Sequence, residues 1–261
     1  MIRAPGADPC MPISLRHTLA LAGAALIVAA CQGRDPVAEL APATGDGLQI
    51  NADGVRLRVL PQQGGAWSVD LGAAADRLTV TREGEALVIA DRSNGKKPKH
   101  CGLPAGAPLV TVRAPAVVHL EADGAVFGEI GPATELRLTN RGCGAWQVGP
   151  IASFARLAQV EGGKITVASV TGRMMAIAYG PKAQVEIQGG VTQRADLRVI
   201  GSGKVAHKGQ VGTLVATQRG PGRIEVAVVT GQVEKSTEGT GDVAWGRPQG
   251  RTFCGGVSCM R

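Results

Sequence analysis

The sequence predicts an all-β protein: a single-stranded parallel β-helix with rungs of about 19 residues and a strand-rich N-terminal lead-in. Three observations predict it. First, a Gly-x-Gly turn followed by a polar and then a branched apolar residue recurs. It stands at Gly201-Ser202-Gly203-Lys204-Val205, Gly220-Pro221-Gly222-Arg223-Ile224 and Gly239-Thr240-Gly241-Asp242-Val243, with 19 residues between returns. Second, apolar residues alternate after each turn, as in Trp146 and Val148, Ile165 and Val167, Val185 and Ile187, Ile224 and Val226, and Val243 and Trp245. Third, there are 38 Gly but only three Phe, three Trp and one Tyr. That composition suits a narrow core of stacked small rungs, not a thick two-layer core.

From the N-terminus, Arg16 precedes an apolar run from Thr18 to Ala30. The run is too short to span a bilayer and ends in small residues, so residues 1–30 read as an export signal. Either Met1 or Met11 serves as the start. Val28-Ala29-Ala30-Cys31 resembles the lipobox of bacterial lipoproteins. The resemblance implies cleavage before Cys31, its lipidation, and a membrane partner reached through that lipid. Gln32 in place of Asp points to the outer membrane. Residues 31–46 hold Pro36, Pro42 and several Ala without an apolar period, and read as a flexible tether.

The domain runs over 47–246. Its lead-in shows period-two segments at Leu48–Ile50, Val55–Val59, Trp67–Leu71, Leu78–Val80 and Leu87–Ala90. Turns such as Asn51–Gly54 and Gln62–Gly65 separate them, which predicts antiparallel or meandering strands. Asp91–Cys101 is a basic loop in which Arg92, Lys96, Lys97 and Lys99 form a candidate anion-binding patch. Strands resume at Leu109–Arg113 and Val117–Leu120, and from about residue 115 the repeats take over. One repeat cannot bury its own apolar side, whereas stacking does so at about 4.8 Å per rung. Crossover handedness makes the coil right-handed. Lys204, Arg223 and Asp242 share one rung position, so that column faces water. Residues 247–261 form a Cys-containing tail.

With Val185–Gly190, Leu197–Val205 and the later Gly-x-Gly returns in place, the chain resembles the bacterial head GIN domain family of adhesin-like secreted β-helical proteins. The likeness covers roughly 48–246. It implies an extracytoplasmic β-helix with a structural, adhesin-like or surface-binding role. It supplies no catalytic motif.

Setting Cys10 and Cys31 aside leaves Cys101, Cys143, Cys254 and Cys259, an even set in an exported chain. Cys101–Cys143 and Cys254–Cys259 are the favoured pairings among three. His100 beside Cys101 and the loose Cys254-x4-Cys259 match no zinc spacing, so no metal is expected. Gly239–Asp242 is similar to a calcium nonapeptide repeat, but Lys204 and Arg223 occupy the places where Asp would have to return. No cofactor motif, phosphate loop or Gly-x-Ser-x-Gly is present. The alternative function is a polysaccharide lyase or hydrolase on a β-helix. Such a site needs clustered carboxylates, and those of the repeats are scattered. The net charge of +7 favours an anionic polysaccharide or another envelope component as partner. Scarce aromatics argue against nucleic acid.

Overall fold

The computed structural model describes residues 47–92 and 101–248, and the backbone of 252–254 and 257–259. The lead-in supplies β1 (Leu48–Asn51), β2 (Val55–Gln62), β3 (Ser68–Asp70), β4 (Leu78–Glu83), β5 (Ala86–Asp91) and β6 (Leu109–Pro115). The coils supply β7 (Val117–Asp123), β8 (Val126–Ile130), β9 (Ala133–Asn140), β10 (Ala145–Val148), β11 (Ile151–Val160), β12 (Gly163–Val167) and β13 (Gly172–Tyr179). They continue through β14 (Ala183–Ile187), β15 (Val191–Ile200), β16 (Lys204–Arg219), β17 (Arg223–Val229), β18 (Val233–Glu238) and β19 (Asp242–Trp245). These coils make a β-solenoid of about seven turns with rungs of about 19 residues, as the glycine spacing predicts.

Each turn contributes one strand to each of two parallel ladders. Sheet A stacks β8, β10, β12, β14, the start of β16, β17 and β19. Sheet B stacks β7, β9, β11, β13, β15, the rest of β16 and β18. The strand β16 thus serves both sheets, with a register shift between His207 and Gln210 at the bend. The core is built from aligned columns. In sheet A one column is Trp146, Ile165, Val185, Val205, Ile224 and Val243. Sheet B faces it with Leu138, Leu157, Ala176, Leu197 and Ala216. All are buried, and burial of such aliphatic columns is the main favourable term in folding. Trp146 fits because Gly128 is its register partner in the preceding rung.

The two glycines of the repeat do different work. Gly201 has φ +94°, a left-handed turn conformation at the corner from sheet B to sheet A. Gly203 has no left-handed φ, but a Cβ there would sit 2.7 Å from the Ala183 carbonyl oxygen of the rung below. The same close stacking recurs at Gly222 over Gly203. Inside this corner lies a buried amide ladder. Asn140 Nδ2 donates to Gln159 Oε1 at 2.8 Å and to the Gly142 carbonyl at 3.1 Å. Gln159 Nε2 donates to the carbonyls of Gly142 and Val160 at 2.9 and 3.1 Å. Gln218 repeats the motif on the Gly220 carbonyl. These amides satisfy corner carbonyls that the sheet ladders leave over.

The lead-in differs from the antiparallel or meandering strands expected of it. The strand β1 pairs in parallel with both β5 and β7, and β2 pairs in parallel with both β6 and β8. The lead-in therefore forms two further rungs, and β1–β2 lies between the rung of β5–β6 and that of β7–β8. Only β3 on β6 and β4 on β5 are antiparallel, and they close that end. Alternation reports which face of a strand is buried, not its direction, so sequence periodicity could not separate the two arrangements.

Cys101 and Cys143 form a disulfide with Cα atoms 5.4 Å apart, across 42 residues. It ties the segment between β5 and β6 to the corner before β10. Trp67, Val69 and Leu71 pack on the core at the lead-in end, and Val233 and Trp245 at the last rung. Lys235 occupies the register place of the buried Ala216, and its Nζ lies 5.9 Å from the centroid of a Trp245 ring. Beyond the coils, β20 (Thr252–Cys254) and β21 (Val257–Cys259) pair antiparallel, with Cys254 opposite Val257 and Cys259 opposite Thr252. The side chains of Cys254 and Cys259 lie outside the described residues.

Candidate functional site

The most structured polar surface is the outward face of sheet A over its last rungs. Register aligns Gln184, Lys204, Arg223 and Asp242 in one outward row. The next row is Glu186, Ala206, Glu225 and Ala244. Residues two apart on a strand share a face, so Lys204, Ala206 and Lys208 all point outward. The charged side chains pair between rungs and, for Arg223 with Glu225, along one strand. Glu186 meets Lys164 Nζ at 2.6 Å and Lys208 Nζ at 2.5 Å. Glu225 meets Lys204 Nζ at 2.7 Å and Arg223 at 3.3 Å.

These partners fix the protonation state. Hydrogen bonds from Lys164 and then Lys208 hold the Glu186 carboxyl at about 2, against a mild opposing effect of burial. Glu225 is lowered chiefly by Lys204, with Arg223 adding to it. Both are carboxylates at neutral pH.

Ala206 is small, and the four charged groups around it stand proud of it. The result is a depression of about 430 Å³ whose lining includes Glu186, Lys204, Lys208, Glu225, Ala227 and Ala244, with Trp245 at the last rung. Beneath it, on the inward side, His207 is 1% exposed. The Gly209 amide donates to His207 Nδ1 at 3.1 Å, so the neutral ring carries its proton on Nε2. Nε2 lies 3.0 Å from Thr192 Oγ1, which donates in turn to the Val170 carbonyl at 3.1 Å. Burial pushes the His207 pKa down, with partial opposition from backbone hydrogen bonds. His207 is thus a closed structural network under the sheet.

The residues singled out from sequence fall elsewhere. Arg92 donates from Nε to the Leu78 carbonyl at 3.3 Å and from its terminal nitrogen to Ala75 at 3.2 Å. Its guanidinium clamps the lead-in hairpin. Lys96, Lys97, Lys99 and the lipidation candidate Cys31 lie outside the described residues. Among the described residues no group of three or more His, Cys, Asp and Glu stands close enough to hold a metal ion. No helix of the described residues is long and apolar enough to cross a membrane.

No protein-family model matches the sequence, and no curated protein matches it. Solved structures do. A "putative adhesin" from Bacteroides fragilis aligns with TM-score 0.59 at 11% identity, covering 77% of this chain and 92% of that one. A second "putative adhesin", from Parabacteroides merdae, aligns with TM-score 0.51 at 14% identity, covering 77% and 91%. The chain shares their fold. At these identities the likeness is one of architecture, and function has to be argued from the surface just described.

The sequence reading missed the ion-pair lattice, although its signal is present. Lys164, Glu186 and Lys208 are spaced 22 residues apart, close to one rung plus one step along the same face. Lys204 and Glu225 are 21 apart, one 19-residue rung plus that same step of two.

Proposed function

We propose that this protein is an exported, lipid-anchored β-solenoid of the head GIN domain kind that serves attachment or surface binding at the cell envelope. The observation that carries this reading is the state of the carboxylates on sheet A. Glu186 is held ionised between Lys164 and Lys208, and Glu225 between Lys204 and Arg223. A glycosidase or lyase needs a carboxyl or base poised near neutral pH, and a carboxyl at about 2 is not an acid catalyst there. What the lattice offers instead is a rigid, patterned surface on a stack of stiff rungs. The fold shared with two proteins named as adhesins agrees with that use.

The lipid anchor rests on the Val28–Cys31 motif. Labelling cells with radioactive palmitate should mark the wild-type chain and not a Cys31→Ala variant. Equal labelling of both removes the anchor. Cells lacking the protein should lose attachment that the wild-type chain restores. Robust turnover of acidic polysaccharides by the purified chain, with or without calcium, would overturn the non-catalytic reading.

A further inference from the structure

We propose that the outward face of sheet B binds an acidic polysaccharide, laid along the solenoid axis over Arg137, Arg156, Arg173 and Arg194. This rests on the surface-binding reading and names a partner and a face for it. The first support is placement. Residues an odd number of steps from the inward column of Leu138, Leu157, Ala176 and Leu197 point outward. Register sets Arg137 beside Arg156, and Arg173 beside Arg194. Phe154 joins the two pairs, because it shares β11 with Arg156 and is the register partner of Arg173. Four consecutive rungs, those of β9, β11, β13 and β15, each present one guanidinium, with rungs about 4.8 Å apart. A linear polyanion running along the axis meets one at every rung.

The second support is charge that the fold leaves unanswered. On sheet A each lysine of the lattice has its carboxylate. Arg173 and Arg194 are exposed register neighbours, and neither has an ion-pair partner among the described residues. Like charges on facing positions of a sheet destabilise it. The nearby carboxylates do not offset this. Asp196 is held by Arg198 at 3.0 Å, and Glu135 stands two rungs away from Arg173. Arg137 has its Cζ 5.9 Å from the centroid of the Phe154 ring, and its buried Nε has no hydrogen-bond partner. A guanidinium meets a carboxylate with two parallel N–H donors. A polyuronate carries one carboxylate on every sugar and supplies them in a line.

The third support is the bed. Ala158 and Ile177 point outward beside the stripe, yet they are 0% and 1% exposed, with Met175 packed against them. The stems of long charged side chains cover apolar neighbours in this way. Phe154 is half-buried, which gives the C–H face of a sugar an aromatic surface and gives a bilayer no protruding wedge.

The test uses the purified full chain with polygalacturonate, dextran, and phosphatidylcholine vesicles with and without phosphatidylglycerol. Saturable binding to polygalacturonate and none to dextran is expected. It should weaken about tenfold or more in roughly 1 M salt, where the screening length falls to about 3 Å. Arg173→Gln with Arg194→Gln should weaken it on the order of tenfold, through loss of two charge-assisted contacts. The control, Arg82→Gln with Arg113→Gln, removes the same charge from exposed lead-in positions and should change binding less than about twofold. The urea midpoint of the Arg173, Arg194 variant should hold or rise, because a like-charge contact is gone.

Absence of polygalacturonate binding overturns the proposal, including the case where phosphatidylglycerol vesicles alone are bound. So does equal binding to dextran, or an equal loss in the lead-in control. A lower urea midpoint in the Arg173, Arg194 variant would assign that pair to the fold and overturns it too. Those outcomes differ from failure of the broader reading. A chain that restores cell attachment with both glutamines in place keeps its envelope role and loses this site.

Discussion

Gly128 and Trp146 are register partners in adjacent rungs of sheet A, and the missing side chain of one is the space filled by the ring of the other. A Cβ built on Gly128 would lie 2.7 Å from Trp146 Cη2 and nearer still to Cε3 and Cζ3. Trp146 itself is fully buried. A narrow coil has no slack to move such a ring aside.

Gly128→Ala should therefore destabilise the fold by about 1–3 kcal/mol, the usual cost of overpacking. The measurement is the urea midpoint at unchanged slope. Adding Trp146→Leu should recover part of the loss. If Gly128→Ala is neutral, the interlock is not tight.

The Cys101–Cys143 bond closes 42 residues. Chain-entropy arithmetic gives roughly 4 kcal/mol for a loop of this size. Thermal unfolding should shift down on adding reductant, and the shift should vanish in a Cys101→Ser, Cys143→Ser variant. An unchanged midpoint in reductant would show that the bond adds nothing.

Gln159 is fully buried and supplies the amide that holds the Gly142 and Val160 carbonyls. Gln159→Leu keeps the bulk but removes the amide bonded to the Val160 carbonyl and to Asn140, which keeps its bond to the Gly142 carbonyl. The expected loss is about 1–3 kcal/mol, read by equilibrium denaturation, with faster amide exchange at the corner. Loss of stability without faster exchange there would place the effect elsewhere.

His207 makes stability depend on pH. Its folded-state pKa lies below 6.5 because burial disfavours the imidazolium. Between that value and 6.5 the unfolded chain binds more protons, so stability falls as pH drops through this window. Protonation of Nδ1 would also break the bond from the Gly209 amide. Stability measured from pH 7.5 to 5 should fall more steeply in wild type than in His207→Leu. Parallel curves would remove His207 as the cause.

Lys235 points inward at the last rung, where the rung below has Ala216. An inward charge on an edge strand blocks pairing with another chain. Lys235→Val should let copies associate end to end, seen as a higher mass by sedimentation. A monomeric Lys235→Val protein would mean that other features guard this edge.

The coil itself was legible because stacking forces one residue type per column. Gly201, Gly220 and Gly239 announce the corner, and the aliphatic columns announce the core. The Cys101–Cys143 pair followed from counting cysteines in an exported chain. What was not legible depends on contacts between rungs. The charges of Lys164, Glu186 and Lys208 look scattered in sequence and meet only once the rungs are aligned. The depression over Ala206 is the absence of a side chain among long ones, and no motif marks an absence. The bonds of Arg92 to the carbonyls of Leu78 and Ala75 were not legible either, because composition shows charge and not the backbone that engages it.

The insertion of β1 and β2 sets the order in which the molecule can be assembled. In an ordinary solenoid each new rung docks on the one made just before it. Here the first rung in sequence has its two neighbours later in the chain, at β5–β6 and β7–β8. A chain emerging N-terminus first presents β1 and β2 with both edges bare. They must wait until about residue 130 has emerged before both flanks exist. Folding cannot run as a zipper from the N-terminus. The lead-in strands first find partners when β5 and β6 have emerged, and their second flank closes only with β7 and β8. The earliest strands to arrive are thus the ones whose edges stay unpaired longest, and unpaired strand edges are where wrong pairing starts.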